Sequence, residues 1–571
     1  MINRGQNFRQ FPINIVGSSI FGRYPKIDVE KTFNMFISDN FMVPYAGYQI
    51  AIGSSNFGSG KVGRGIFTST KFDKLVIVIG QNVYLANIKF SQQFQKVIYS
   101  QVIHIGVLQT TTGVVYIAEN NKPQIGISDG TAFYIYDPTL TPSFQAITLN
   151  FTPGYLTFHD TYFILAASND NTYTPPANNT WRLSGQNDGT DWPPLTANVG
   201  LLQTKPDNVQ AVVRFPSKGN MIFVMGSVVT EAWFDTGAQL FPYQRNNQFN
   251  IDYGCLQPAT VAYMDEFVVW LAQNEKSGPI IVYSDGGMPK KITTDGLDYL
   301  FSTLQNPEDS QAFLYRQDGH LFYHLNFYED NFSIFHDFTT GKTYHASDQS
   351  LNYFIAAEVA FFNNQYYFVT KNNGNLFALD TTFYTYQDVD SLGNVETHEV
   401  PRIRICANIR TPDQEYQIIN DVGFTIESGE TDYQQQSLGE IILTTQDGHP
   451  LVTQGGFIGL VTQDEEFLLT QDGEILLTQQ TDIGMPALLI AQQMANTGTS
   501  NLSLPHVDLS ISVDGGATFG NEWAYYLPAI GHRKNRLMWW QIGIANDFVP
   551  QFKFWGMGRF VCTDGIANVR I

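Results

Sequence analysis

The chain has 571 residues, of which 43% are hydrophobic, 14% aromatic and only 15% charged. That length and apolar content predict two or three domains with large cores and exclude disorder and collagen-like repeats. With 53 acidic against 32 basic residues the formal charge is -21, which leaves no global basic field for holding a DNA duplex.

The low charge, against about 25% in an average soluble domain, means that Asn, Gln, Ser and Thr carry much of the surface, a mix that favours β-sheet. The start, MINRGQNFRQFPINIVGSS, lacks a continuous apolar stretch, and no run of about 18 apolar residues occurs, so no membrane segment is expected and the product is read as soluble and folding in the cytosol. Residues 1–45 read as an N-terminal arm. From 46 to 390 short apolar runs recur, among them 74–79 (KLVIVI), 114–117 (VVYI), 162–165 (YFIL), 221–224 (MIFV), 267–270 (FVVW), 321–324 (LFYH) and 366–369 (YYFV). Gly, Asp and Asn between them, as in 80–82 (GQN) and 317–319 (QDG), suit tight hairpins. Meandering sheets at this spacing over more than 300 residues predict a β-propeller, because a sandwich of so many strands would leave long edges open. Nothing in the sequence marks each blade, so blade number is not predicted.

A turn-rich junction at 388–394 leads to a C-terminal β-sandwich over 391–428 and 497–571, with strands at 401–406, 418–419, 506–512 and 538–544. The fold class is thus all-β, a propeller followed by a sandwich carrying a short-strand repeat insertion. That insertion, 429–496, holds Thr-Gln pairs at 445/446, 453/454, 462/463, 470/471 and 478/479, each unit of about eight residues reading as one strand and one turn. It is read either as a ladder that grips another protein or a symmetry mate, or as a rigid spacer. Trp233 and Trp539 lie in alternating runs and are expected to be buried anchors.

Candidate chemistry is sparse. Gly126-Ile-Ser128-Asp-Gly130 matches the pattern of a hydrolase nucleophile elbow, but the segment after it is a strand where the elbow needs a helix, so a hairpin turn is expected. His320 and His324 on one strand would stand about 13 Å apart, too far to share an ion, and His336 and His345 add no metal motif. Cys255, Cys406 and Cys562 are too scattered for a disulfide framework or a CxxC site. Ser512-Val-Asp514-Gly-Gly516-Ala-Thr518-Phe519 resembles an Asp-box, a structural turn. Two basic clusters, Lys290-Lys291 and Arg533-Lys534-Asn535-Arg536, are read as strand caps or ion pairs with a partner subunit in preference to a phosphate-binding site. No catalytic, cofactor-binding or metal residue is therefore assigned, no cofactor is expected, and the chain is read as no enzyme.

In order along the chain, 33–35 (FNM), 44–47 (PYAG), 63–67 (GRGIF), 223–237 (FVMGSVVTEAWFDTG), 512–519, 534–543 (KNRLMWWQIG) and 552–554 (FKF) resemble the packaged-DNA stabilisation proteins, or tail hubs, of short-tailed bacteriophages. The Thr-Gln repeat is not a feature that family requires. The resemblance implies a virion tail protein forming a homohexamer below the portal or adaptor proteins. The ring would retain packaged DNA, let the duplex pass at genome ejection without specific binding, and anchor tail fibre, spike or needle proteins. The alternative is a carbohydrate-binding or glycan-cleaving propeller.

Overall fold

A computed structural model describes residues 8–23, 30–58, 62–91, 96–193, 198–215, 218–239, 241–264, 266–389, 394–410, 416–428, 443–444, 450–453, 460–461, 505–527, 534–556 and 558–570. The chain divides into two units, one of residues 18–34 and 46–383, the other of 1–17, 35–45 and 384–571.

The first unit is a propeller of seven blades, all antiparallel: blade 1 over 63–107, blade 2 over 116–147, blade 3 over 152–201, blade 4 over 209–251, blade 5 over 254–291, blade 6 over 310–345, and blade 7 over 356–380. The apolar runs seen in the sequence are mostly the second strands of these blades. Lys74–Ile79 is buried from Leu75 onward and Met221–Gly226 is buried throughout. Such a strand is covered on both faces by neighbouring blades, so the alternation expected of a half-exposed strand disappears into a continuous run. Tight turns separate the strands: Asp318 and Gly319 both take positive φ, 46° and 84°, between Ser310–Gln317 and His320–Phe327.

Blade 7 closes the ring with a strand from the other end of the propeller sequence. Gly47–Ile52 pairs antiparallel with Leu376–Asp380, Tyr48 facing Leu379 in the register. Blade 1 then meets blade 7 through Ile66 N, which donates to Glu358 Oε2 at 3.0 Å, and Thr68 Oγ1, which donates to Phe361 O at 2.8 Å. Blade 6 gains a parallel strand, Lys31–Phe33, with Phe33 against His345. The one described α-helix, α1 (Asp295–Thr303), starts at Thr294, whose hydroxyl accepts from Leu297 N, and carries Asp295 and Asp298 where the helix dipole favours negative charge. It buries Leu297 and Phe301 against blades 5 and 6.

The second unit is a sandwich. One sheet joins Phe8–Ile13, Gly565–Arg570, Gln417–Ser428, Phe560–Cys562, Phe41–Pro44 and Met35–Ser38, with Lys534–Ala545 also paired to Gln417–Ser428. The other contains Arg402–Ile405, Val549–Trp555, His506–Ser512 and Trp523–Tyr526. Val422, Phe424 and Leu537 of the first sheet share a core with Val507, Leu509, Phe552 and Phe554 of the second. The segment 1–45, read from the sequence as an arm, thus gives strands to both units. Trp233 and Trp539 are buried, and Trp539 Nε1 donates to Trp523 O at 2.8 Å. The 388–394 junction is flanked by paired antiparallel strands, Thr385–Val389 and Val395–Glu399, and its residues 390–393 lie outside the described residues. Of the insertion, Leu443–Thr444, Pro450–Thr453 and Leu460–Val461 form a three-stranded antiparallel sheet, and the rest of 429–496, with most of the Thr-Gln pairs, lies outside the described residues.

Candidate functional site

Several of the residues flagged in the sequence hold turns or make ion pairs within the fold. Ser128 ends the strand Ile125–Ser128 and its hydroxyl donates to Gly154 O at 2.7 Å, while Asp129 Oδ1 accepts from Thr131 N, Thr131 Oγ1 and Ala132 N to make the turn into Phe133–Tyr136. In the Asp-box-like turn Ser512 Oγ accepts from Gly516 N at 2.8 Å, and Asp514 accepts from Ala517 N, Thr518 N and Thr518 Oγ1. The Ser512 and Thr518 hydrogen bonds hold the Asp514 carboxyl well below the usual carboxylate range. Lys290 and Lys291 make their ion pairs within the chain, with Asp285 and Asp298, where the sequence suggested a partner subunit, because the strand they form lies beside the Asp285 turn and the first turn of α1. Lys534 and Arg536 stand exposed on a strand, and Arg533 lies outside the described residues.

The four histidines are kept apart. His320 Nδ1 lies 2.9 Å from Asp337 Oδ2, His336 Nδ1 is 2.9 Å from Thr343 Oγ1, His345 Nδ1 is 2.8 Å from Ser19 Oγ, and His324 is stacked on Phe313 at 4.8 Å. Among the described residues no group of His, Cys, Asp or Glu could hold a metal ion. Burial pushes His324 and His345 down to about 3 and His336 to about 4. These rings stay neutral in the fold but take up protons in the unfolded chain below about pH 6.5, so each removes up to about 1.4 kcal/mol of stability per pH unit as pH falls from there toward the folded value. The stacked His324→Phe variant should therefore lose less of its melting temperature than the parent between about pH 6.5 and pH 4. Equal losses would show that His324 does not drive the acid sensitivity.

What the sequence reading missed is the propeller's axial cavity, of 570 Å³, lined by the first strands of blades 1, 2, 3, 6 and 7 and by residues 258–264 of blade 5. Its lining includes Ile66, Tyr116, Tyr155, Tyr263, Gln311 and Glu358, and among the described residues Glu358 is its one acid. This carboxyl sits beyond a register shift between Ala356 and Glu358, and such bulges re-aim side chains. Burial pushes it up to about 8, against the lowering effect of the Ile66 N–H bond. The rings of Tyr116 and Tyr155 approach to 4.8 Å beside it. A lone acid within the apolar run 354–362 (FIAAEVAFF) was the available signal.

A second feature lies on the rim. The last strand of blade 1, Lys96–Val107, is twelve residues long, stands at the end of its sheet and carries no acidic residue. Ile98, Tyr99, Ile103 and Val107 are 59%, 45%, 38% and 48% exposed. The outer strands of the other six blades are shorter, down to Lys290–Lys291.

A family model described as bacteriophage P22 Gp10, beta-propeller, matches residues 91–384, just over half of the chain. No curated protein matches the sequence. Similar solved structures include virginiamycin B lyase from Staphylococcus aureus in an inactive form with quinupristin (9% identity, 59% of this chain and 99% of that one, TM-score 0.39). Others are the AfRom2 CNH domain (8%, 58% and 98%, TM-score 0.34) and a fungal alcohol oxidase with copper (8%, 77% and 99%, TM-score 0.35).

Proposed function

Because the chain belongs to the bacteriophage P22 Gp10 β-propeller family, we propose that this tail structural protein assembles as a ring of six copies that retains packaged DNA and extends its exit channel. On this reading the ring docks beneath the portal or adaptor proteins and serves as ground for tail fibres, spikes or a needle.

The observation that favours self-assembly is the outer strand of blade 1. A twelve-residue edge rich in Val and Ile is an aggregation site on a free monomer, and soluble proteins blunt such edges with charge, proline or cover. A subunit that spends its working life in an assembly can leave the edge open, because a neighbour covers it. The lack of acids there adds to the argument, since copies carrying -21 each repel least where no carboxylates meet. An acidic chain also suits a conduit, because bound phosphates would retain the duplex in a salt-dependent way. Glycan cleavage would ask for two carboxyl groups flanking one bond, and the axial cavity offers Glu358 alone among its lining residues.

Native mass spectrometry tests the proposal. The parent chain should run as a multiple of its monomer mass, and the double variant Ile98→Lys, Ile103→Lys should dissociate, with affinity weakened at least about a hundredfold at unchanged melting temperature. A parent that stays monomeric at every concentration, with and without its adaptor, would sink the ring. An assembled parent with an equally assembled variant would leave the ring standing and move the interface elsewhere.

A further inference from the structure

We propose that the axial cavity of the propeller binds a small organic ammonium ion, its positive head on the Glu358 carboxylate and its apolar body against Tyr116 and Tyr155. The inference stands apart from the ring proposed above, since it concerns the centre of a single propeller.

Size and lining come first. At 570 Å³ the cavity falls inside the range of about 300 to 1,000 Å³ typical of small-molecule sites; its lining residues are mostly apolar or aromatic, and about half of the wall they expose is polar. No Lys, Arg or His is among its described lining residues, and the nearby Arg214 guanidinium is taken up by the Tyr263 ring, 5.4 Å away.

The acid is the second observation. Glu358 Oε2 accepts from Ile66 N at 3.0 Å, and Oε1 has no hydrogen-bond partner among the described residues. A glutamine at this half-buried position would accept the same N–H bond without a charge. The fold therefore has no need of the acid, and an incoming cation would use it. The burial that raises this carboxyl to about 8 makes the same point energetically, because a cation restores the ionised form that the cavity alone disfavours.

The ligand class follows from what surrounds that one charge. Calcium or magnesium asks for about six oxygen ligands, mostly carboxylate, carbonyl or water, and one carboxylate among aromatic rings is a poor match. An organic ammonium group asks for a single negative charge and aromatic surface, which attracts cations through its quadrupole. Tyr116 and Tyr155, 4.8 Å apart at an interplanar angle of 50°, present such surface from two adjacent blades.

Choline is the probe, compared with its uncharged tert-butyl isostere by isothermal titration to the full chain. Choline should bind at least about tenfold more tightly than the isostere, and Glu358→Gln should abolish that preference while melting within about a degree of the parent. Choline keeps its charge at all pH, so its affinity should climb about tenfold per unit from about pH 6 and level off above pH 8 as Glu358 ionises. Equal binding of choline and isostere, an undiminished preference in Glu358→Gln, or a flat pH profile in the parent would overturn the proposal. The pH profile uses the unmodified protein, so it decides the matter even if the variant fails to fold.

Discussion

Replacing Asp170 with alanine should cost the propeller about 3 to 5 kcal/mol, read as a drop in the urea midpoint. Asp170 and Arg182 are both buried in blade 3, and the guanidinium meets the carboxylate as a fork: Nε to Oδ2 at 2.9 Å and Nη2 to Oδ1 at 2.8 Å. Thr172 adds its backbone N–H, at 3.0 Å, and its hydroxyl to the same carboxylate. Removing the acid strands a charge that Asn198 at 3.3 Å, the Thr172 hydroxyl and the Phe151 ring at 5.4 Å cannot balance. Burial by itself would raise the Asp170 carboxyl, but the Arg182 and Thr172 bonds outweigh it and hold the group below its ordinary value. Its contribution is therefore complete above about pH 4 and fades as pH falls through the folded value, so the gap between parent and variant should narrow in acid. A variant that unfolds at the parent's midpoint at neutral pH would show that the fork contributes nothing net.

Tyr48→Ala should cost a similar amount, about 3 to 5 kcal/mol, and act on the ring as a whole. Tyr48 is 1% exposed and its ring meets Phe354, Phe368 and Phe377 edge-on at 5.8, 5.5 and 5.6 Å. Its strand, Gly47–Ile52, completes blade 7, which in turn abuts blade 1. Loosening it removes the closure that lets the first and last blades bury each other's faces. Hydrogen exchange should accordingly accelerate in both blades 1 and 7. Acceleration confined to the closing strand would mean that the ring holds without it.

Much of the propeller was legible because its second strands are covered on both faces, so runs such as 75–79 and 221–226 stand out as unbroken apolar stretches. Blade number was hidden by the outer strands, which range from the two residues of Lys290–Lys291 to the twelve of Lys96–Val107. Blade 7 also borrows its outer strand from residues far earlier in the chain. The same distance problem hid the sharing of residues 1–45, since Phe8–Ile13 pairs with Gly565–Arg570 at the opposite end of the sequence. The cavity was illegible for a related reason: Tyr116, Tyr155, Tyr263, Gln311 and Glu358 come from five blades, and only ring closure brings them together. One local signal went unread. Asp-x-Thr recurs at 129–131, 137–139, 170–172, 188–190 and 380–382, and each time the aspartate accepts from both the threonine N–H and its hydroxyl. The spacing suits it, because a carboxylate two residues back reaches both donors of one turn.

The central claim is that this chain is a building block of a phage tail that assembles as a ring. Negative-stain electron microscopy of the purified chain, alone and mixed with its adaptor, tests it most directly. Six-fold rings with an open centre, lost in the Ile98→Lys, Ile103→Lys variant, are the predicted result, and isolated single-chain particles in both preparations would contradict it.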